Sequence, residues 1–401
     1  MARILFLTQV LPYPLDSGAK IRAYYVLRHL SHRHEVTLVS FVRPDDRPES
    51  VAHLQQFCRA VHSVPMRRSL LRDARAGSIG LLTGRPIVIV RDEDRQMQRL
   101  LRQLMSAGPF DVVHADQTSM AQYALYARAQ ASHPTPRLLL DAHNALYRIP
   151  QRLASRESNP LRRRLFRREA RALLRYELDL LHRFDRVVFV ADQDREALQS
   201  ANLHSAVIPI CIDPADKRLI ERVPDPGAIT HLGTMFWPPN VEGVLWFARN
   251  VFPLVLEHLP DARLVVVGKD PPQDVEDLPL KVRNVQVTGY VPDPAPYLAE
   301  TAAFIVPLHA AGGMRVKIVD AWCWGVPVVS TSIGAEGIAL EDGENILIAD
   351  TAAAFAQAVV RVLEDPALGE RLRQNGRRWV EQHYNWRSTY TQWDEVYAQL
   401  P

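Results

Sequence analysis

Cysteine and long apolar runs are scarce in this sequence, and each shortage excludes a class of protein. Its three cysteines, Cys58, Cys211 and Cys323, are scattered and lack the spacing of metal ligands. They exclude a disulfide framework and favour a reducing, cytoplasmic compartment. No apolar run approaches the ~18 residues that a membrane-spanning helix needs. The short apolar N-terminus lacks a small-residue cleavage site, so we interpret it as a buried strand rather than a signal peptide.

Acidic residues are unevenly distributed along the chain. Residues 1–227 hold 35 Lys and Arg against 24 Asp and Glu, whereas residues 228–401 hold 13 against 21. A chain of 401 residues can form two cores, and this asymmetry supports two domains. The first domain should therefore attract anionic ligands or surfaces.

Apolar strands and amphipathic helices alternate twice along the chain. This rhythm predicts an α/β protein of two Rossmann-like parallel-sheet domains, at 1–215 and 228–380, with C-terminal helices at 381–401. The linker falls at about residues 213–227, which are rich in proline and charge. Two regions are placed loosely: 44–66 and 85–108 are predicted as helices around a short strand. Residues 207–213 are predicted as the last strand of the first domain.

Residues at predicted strand ends are the first candidates for a ligand site. Gly18 lies where the first strand meets the first helix, and His143 lies at the end of an apolar strand predicted at 137–144. Ligands of open α/β sheets bind at this edge. Gly18 can also be a simple turn residue, and its surroundings lack the G-x-G-x-x-G of a nicotinamide site. His114 lies inside its strand, which favours a core histidine.

An arginine-rich segment follows the strand that ends near His143. Apolar residues recur at helical spacing between Leu161 and Leu181, and seven arginines crowd 161–175. Two interpretations stay open. The segment can be a surface helix whose apolar stripe packs on the sheet, or a peripheral membrane helix attracted to anionic lipid. Nucleic acid is a poor candidate, because no reading motif accompanies the charge.

The stretch Ala311–Gly337 has the strongest chemical signature in the chain. Gly312 and Gly313 precede two cations, Arg315 and Lys317, and a helical run then leads into an apolar strand. Free N–H groups at a glycine turn suit an anion, and adjacent cations neutralise a phosphate. The pattern indicates a site for a nucleotide diphosphate.

With these segments together, the sequence resembles the retaining glycosyltransferases of family 4, which have the GT-B fold. The likeness is closest to the bacterial exopolysaccharide-associated sugar transferases, and it covers nearly the whole chain. The segments that carry it are LLLDAHN, LGTMFWPPNVEGVLWF, VTGYVPD, IVPLH and GGMRVKIVDAWCWGVPVVSTSIGAEG. It implies a nucleotide-sugar donor in the second domain and a glycan or lipid-linked acceptor in the first. It also implies C-terminal helices that return to the first domain, and no metal or other cofactor.

The resemblance also assigns residues. Asp320 matches the second of two family glutamates, which binds the donor ribose, and the first falls on Gly312. Arg315 and Lys317 replace an Arg and a Lys that the family carries near Gly233 and Thr234. The remaining matches are His143 near the donor sugar, Tyr290 and Val291 near the base, and Gly18, Gly313 and Met314 beside the donor.

The implied reaction requires stabilisation of charge on the departing phosphate. Arg315 and Lys317 can supply it together with the amides of Gly233, Thr234, Gly312 and Gly313. The acceptor proton can pass to the leaving phosphate, or to Asp116 or Asp141. An isomerase related to the nucleotide-sugar 2-epimerases and a non-catalytic nucleotide-sugar-binding protein remain the alternatives.

Overall fold

The computed structural model describes residues 1–66, 69–132, 134–198, 204–217, 219–223, 225–310 and 312–400. The chain forms two compact units. The first unit comprises Met1–Ile212, Gly312–Met314 and Trp386–Pro401, and the second comprises Asp213–Ala311 and Arg315–Asn385. Ala311, where the predicted phosphate motif begins, and Arg218 and Pro224 of the predicted linker lie outside the described residues.

The first unit is built on a seven-stranded parallel sheet in the order β3-β2-β1-β4-β5-β6-β7. Apolar residues fill both faces, with Leu5, Val113 and Leu140 on one and Phe6 and Leu139 on the other, as expected of a covered parallel sheet. The strand order reverses between β1 and β4, which places a ligand crevice at their carboxyl ends. The strands are β1 (Arg3–Thr8), β2 (Glu35–Val42), β3 (Ala60–Pro65), β4 (Val112–Asp116), β5 (Arg137–Ala142), β6 (Arg186–Phe189) and β7 (Ser205–Val207).

Helices cover this sheet, and one of them is unusually long. A 3₁₀ turn at Thr118–Met120 also follows β4. The helices are α1 (Gly18–Ser31), α2 (Pro48–Leu54), α3 (Leu70–Thr83), α4 (Ile87–Arg91), α5 (Arg95–Ala107), α6 (Ala121–Gln130), α7 (Arg148–Arg156), α8 (Pro160–Arg183) and α9 (Asp192–Ala197).

The second unit has a six-stranded parallel sheet in the order β10-β9-β8-β11-β12-β13, with its reversal between β8 and β11. Its core is separate, and Phe247, Phe252 and Phe355 are fully buried there. The strands are β8 (Ala228–Leu232), β9 (Arg263–Val267), β10 (Val285–Gly289), β11 (Ala303–Val306), β12 (Val328–Ser330) and β13 (Leu347–Ile348).

A π-helical segment, Phe247–Val251, joins the first two helices of the second unit. The helices of this unit are α10 (Pro238–Trp246), α11 (Phe252–His258), α12 (Gln273–Glu276), α13 (Leu278–Lys281), α14 (Ala295–Glu300), α15 (Val316–Trp324), α16 (Ala352–Glu364) and α17 (Pro366–His383). Two last helices, α18 (Trp386–Thr389) and α19 (Gln392–Ala398), belong to the first unit. No helix of the described residues combines the length and apolarity that crossing a membrane requires.

The prediction of two Rossmann-like parallel sheets is confirmed, but three local predictions are wrong. Residues 60–65 are strand β3 rather than helix. A full helix, α3, occupies 70–83, where only a short strand was expected. The segment 207–213, predicted as a strand, pairs with the sheet only at its first residue, because β7 pairs with β6 from Ser205 to Val207 and ends there.

The arginine-rich segment forms α8, and its two halves differ in how far their leucines are buried. Its C-terminal leucines, including Leu173, Leu180 and Leu181, are buried against the first unit. Its N-terminal leucines are not, since Leu161 is 78% exposed and Leu165 is 42% exposed. The apolar stripe therefore packs on the protein only over the second half of the helix.

Candidate functional site

In the second unit, Lys317 lies at the switch point between β8 and β11. Its Nζ donates to Asn240 Oδ1 at 2.9 Å, and Asn240 Nδ2 donates to the Thr234 carbonyl at 2.8 Å. A Cβ at Gly233 would stand 2.7 Å from the ammonium, so a larger residue there would displace the Lys317 side chain. The ammonium is thus held against the loop that follows β8, as phosphate recognition requires.

Little charge of opposite sign compensates this cation. Burial, together with the smaller effect of the nearby Arg315 guanidinium, lowers the pKa of Lys317 to about 7. Asn240 offers only a neutral amide oxygen. A diphosphate placed beside Lys317 would restore its charge, which is the electrostatic signature of an anion site.

Arg315 precedes α15 and is buried. Its guanidinium carbon lies 5.9 Å from the ring centroid of Trp237, which begins the loop-to-helix turn of α10. Arg315 and Lys317 are thus positioned from one side by the α10 segment. Sequence analysis missed Asn240 and Trp237, although both lie in the segment LGTMFWPPNVEG that carries the family likeness.

Asp320 lies beyond the first turn of α15 and so does not complement the helix N-terminus. Its carboxylate is paired with Lys217, whose ammonium also lies 4.9 Å from the Trp324 ring centroid. A ribose hydroxyl reaching Asp320 would therefore meet a carboxylate already held in place by Lys217.

The predicted base-contacting residues follow β10 at the same edge of the sheet. The Gly268 amide donates to the Gly289 carbonyl at 3.0 Å, and a Cβ at Gly268 would collide with the Gly233 carbonyl. These glycines bring the loops after β8, β9 and β10 together. Tyr290 is 68% exposed and Val291 is half-buried, so their backbone stands open beside that edge.

In the first unit, His143 lies at the carboxyl end of β5. Its Nε2 is 2.9 Å from Asp116 Oδ1 on β4 and 3.8 Å from Asp141 Oδ2. Asp141 receives both arms of Arg22, Nε at 2.9 Å and Nη2 at 3.0 Å. His114 is buried in β4 beside Tyr397, so the prediction of a core histidine is confirmed.

The electrostatics of this cluster favour a charged imidazole. Burial alone would lower the pKa of His143, but the Asp116 and Asp141 carboxylates outweigh it and raise that pKa. Burial raises the pKa of Asp116 despite the opposing effect of His143. Burial would also raise the pKa of Asp141, but Arg22 lowers it, so this carboxylate stays ionised.

The turn after His143 is fixed by two buried carboxylates that sequence analysis missed. Glu177 on α8 accepts the amides of Leu146 and Tyr147 at 2.7 and 3.0 Å. Asp194 accepts the amide of Ala145 at 3.0 Å. Burial raises the pKa of Glu177 to about 8, although the two amides oppose the shift. Nothing in the local sequence distinguishes these acids from surface residues of a helix.

The predicted donor glycines pack on this same turn of the first unit. Gly313 has φ +71°, and a Cβ there would collide with the His143 carbonyl. A Cβ at Gly312 would stand 3.4 Å from Ile149. Met314 is buried beside them. The structure therefore brings two predicted sites, Gly312–Met314 and His143, into one place, while Gly18 begins α1 at the end of the β1 loop.

Among the residues that the structure describes, Asp116, Asp141 and His143 form the group that could hold a metal ion, since their ligand atoms lie within 4.8 Å of one another. Arg22 already supplies a cation to this cluster. Two Asp-x-Asp sequences, Asp92–Asp94 and Asp192–Asp194, have structural roles instead: Asp94 accepts two amides at the start of α5, and Asp194 accepts that of Ala145.

Comparison with known proteins agrees with this architecture. Residues 17–216 match the model of "Glycosyltransferase Family 4", and residues 226–365 match that of "Glycosyl transferases group 1". The chain is 21% identical over 403 residues to an uncharacterized 44.6 kDa protein in the cps region of Klebsiella pneumoniae, covering 98% of each. It is 32% identical over 95 residues to the lipopolysaccharide core biosynthesis glycosyltransferase LpsE of Rhizobium meliloti, covering 23% of this chain and 28% of LpsE.

Among solved structures, Anabaena HepE in complex with UDP-glucose superposes with a TM-score of 0.66 at 16% identity, covering 99% of this chain and 100% of HepE. The two parallel sheets and this likeness show that the chain has the GT-B fold. The two sequence matches identify the class more closely. The chain is a glycosyltransferase and belongs to glycosyltransferase family 4.

Proposed function

We propose that the protein transfers a sugar from a nucleoside diphosphate sugar to a hydroxyl group, with retention of anomeric configuration and without a metal. The observation that carries this proposal is the pair Arg315 and Lys317, held at the switch point of the second unit beside the Gly233 loop. The buried ammonium of Lys317, whose partner Asn240 is neutral, and the nearby Arg315 guanidinium suit the diphosphate that departs with the nucleoside.

The remaining predicted residues take roles in their own units. In the second unit the Thr234 amide contacts the phosphates, Asp320 receives the ribose, and the backbone at Tyr290 and Val291 receives the base. The Gly233 amide is not available to the phosphates, because it donates to the Val267 carbonyl at 3.0 Å. In the first unit, His143 stabilises charge near the transferred sugar, and Gly312, Gly313 and Met314 lie against its turn. The leaving phosphate takes the acceptor proton, because Asp141 is committed to Arg22 and Asp116 to His143.

UDP-sugars are the first donors to test, because HepE, which shares the fold, was crystallised with UDP-glucose. The relatives favour a glycan or lipid-linked acceptor in the synthesis of surface polysaccharide or glycoconjugates. One is encoded in a cps region, and another acts in lipopolysaccharide core biosynthesis.

We also propose that the enzyme works at the inner face of a membrane through the arginine-rich start of α8. Residues 160–165 are all exposed, and Arg162, Arg163 and Arg164 are among them. Each basic residue near an anionic lipid surface contributes about 1 kcal/mol. A lipid-linked or polyanionic acceptor would be found at such a surface.

A thermal-shift panel of nucleoside diphosphate sugars tests the donor, since a ligand that binds only the native state raises apparent stability. The stabilising donor is then incubated with and without a hydroxyl acceptor. Release of nucleoside diphosphate that depends on acceptor supports transfer. Epimerisation of the donor would show that the protein is an isomerase. Binding of the donor without any turnover would show that it is a non-catalytic nucleotide-sugar-binding protein.

Arg315→Ala tests the residue assignment. Losing one contact to the departing phosphate should lower turnover by ~10²–10³-fold. The control is Arg283→Ala, which removes an exposed arginine of the same unit. Unchanged turnover together with an unchanged donor KM in Arg315→Ala would contradict the assignment.

A further inference from the structure

Helix α3 of the first unit has its large apolar residues on the exposed face, whereas a surface helix of a globular protein normally buries them. Leu70, Leu71 and Leu82 are 85% to 89% exposed, and Leu81 is 60% exposed. The face that packs on the protein carries small residues, with Ala76 and Gly80 buried. Surface helices normally bury leucine and expose polar residues. This helix therefore presents an apolar face that its own unit does not use.

The position of α3 is set by polar contacts rather than by its leucines. Near its start, Arg72 donates to the carbonyls of Arg91 and Glu93 at 2.9 and 2.7 Å. A Cβ at Gly80 would stand 2.8 Å from Ile87 on α4, so the two helices pack closely. The exposed leucines thus belong to a helix that is fixed on the unit.

The start of α8 continues this surface. Arg168 on α8 donates to the Arg85 carbonyl at 2.9 Å, and also to the Gly80 carbonyl, both at the end of α3. Leu165 and Leu161 lie three and seven residues earlier on α8, about 5 and 10 Å along its axis. Leu81 and Leu82 on α3 and two leucines on α8 therefore flank one contact, and Leu70 and Leu71 extend the apolar surface about 15 Å along α3.

The charge around these leucines is positive. Arg75 on α3 and Arg162, Arg163, Arg164 and Arg167 on α8 are exposed. Within the part of the chain that the structure describes, the four α8 arginines have no carboxylate at salt-bridge distance. The nearby acids Glu93 and Glu169 are paired with Arg85 and Arg168, while Asp73 is exposed.

We propose that α3 and the first two turns of α8 form a membrane-insertion surface, in which the leucines enter the interface of an anionic bilayer and the arginines contact lipid phosphates. Apolar side chains surrounded by arginine fit such an interface better than a protein partner, because the guanidinium groups can bind lipid phosphates while the leucines enter the acyl boundary. This inference rests on the proposed membrane location and extends it. The arginines of α8 alone would give only electrostatic binding to the membrane, whereas the leucines add insertion.

The experiment is flotation of the full chain with vesicles of phosphatidylcholine, alone or mixed equally with phosphatidylglycerol. Wild type should bind the mixed vesicles and retain part of that binding at high salt, because inserted leucines are not screened. Replacing Leu70, Leu71, Leu81 and Leu82 by Gln should weaken partitioning by ~100-fold or more. Leu280→Gln, which alters an 86%-exposed leucine of the second unit, is the matched control.

A second set of variants separates insertion from charge. Replacing Arg162, Arg163 and Arg164 by Gln should reduce binding by about fivefold per residue. If this arginine variant bound the mixed vesicles as tightly as wild type, the electrostatic part of the proposed function would be contradicted. Equal binding by the four-leucine variant and wild type would overturn the insertion surface, whatever the arginine variants show.

Direct contact with the bilayer can be measured at one position. Leu82→Cys can carry an environment-sensitive dye, because Cys58, Cys211 and Cys323 are buried. The dye should shift to the blue on mixed vesicles, whereas an unshifted spectrum on bound protein would exclude insertion. Loss of self-association in the four-leucine variant without vesicles would identify a second copy as the occupant and also overturn the proposal. Donor-induced thermal stabilisation should remain in every variant.

Discussion

At the scale of single residues, Lys317 has the most informative chemistry. Its pKa is about 7 in the unliganded structure, because burial and Arg315 both disfavour the charged form. A bound diphosphate stabilises that form and raises the pKa again. Binding above this pKa must therefore take up a proton.

We expect the affinity for a nucleoside diphosphate sugar, whose phosphates do not titrate near neutral pH, to be constant below the pKa of free Lys317 and to fall above it by up to about tenfold per pH unit. Titration calorimetry in two buffers of different ionisation enthalpy measures both the affinity and the proton uptake. Lys317→Arg should flatten the pH profile, because arginine stays charged. A flat profile in wild type would contradict the assignment.

The sequence predicts part of this site and not the rest, for a physical reason. Two cations after two glycines indicate phosphate chemistry from local pattern alone. The residues that hold these side chains in place cannot be predicted from local pattern. Asn240 stands 77 residues from Lys317 and contacts it only when β8 and β11 become neighbours. Lys217, which pairs with Asp320, is 103 residues from it in the sequence.

At the scale of elements, the pairing of β4 with β5 creates the first-unit cluster. Their register sets Asp116 opposite Asp141, so two carboxylates meet inside the protein. Such a pair is unstable unless cations compensate it. Arg22 from α1 compensates Asp141, and His143 compensates Asp116.

Asp116→Asn should therefore lower the pKa of His143, because the closest carboxylate is removed while the burial remains. Imidazole signals of selectively labelled protein, followed by NMR against pH, report that titration. If the charged imidazole supports transfer, turnover of the variant should decline at a lower pH than turnover of wild type. Asp179→Asn, on the exposed face of α8, is the control. An unchanged His143 titration would show that Asp116 does not hold the charge.

The elements that sequence analysis placed wrongly share a weak pattern. Strand β3 is at the edge of its sheet, and only Val64 of its residues is fully buried, so its alternation is poor. Helix α3 buries alanine and glycine and exposes leucine, which reverses the expected moment. The central strands β1, β4 and β5 were predictable because both faces are apolar.

At the scale of the whole molecule, the chain returns to the first unit after it has formed the second. The last residues, Trp386–Pro401, belong to the first unit. Trp393 lies 5.0 Å from the Arg22 guanidinium, and the Tyr390 hydroxyl accepts the Cys211 amide at 3.1 Å. The Tyr397 hydroxyl lies 2.8 Å from His114 Nδ1. The family resemblance implied this return, but Arg22 as its anchor was not visible in the sequence.

Removing residues 386–401 should consequently destabilise the first unit and spare the second. The fully buried Trp393 alone should cost ~3–5 kcal/mol when replaced by alanine. Tyr390→Phe is the milder variant, because it leaves the buried Cys211 amide unpaired at a cost of ~1–3 kcal/mol. Hydrogen exchange measured by mass spectrometry should show lost protection in β1, β4 and β5, with β8, β9 and β11 unchanged.

The donor response provides the internal control for this prediction. Because Arg315, Lys317 and Asn240 all belong to the second unit, a nucleoside diphosphate should still protect β8 and α15 in the Tyr390→Phe variant. Gln382→Ala, which alters an exposed residue of α17, should leave both units protected as in wild type. Equal loss of protection in both sheets would mean that the C-terminal helices stabilise the molecule as one cooperative body. Selective loss would mean that residues far apart in sequence, Arg22 and Trp393, set the stability of the unit that holds His143.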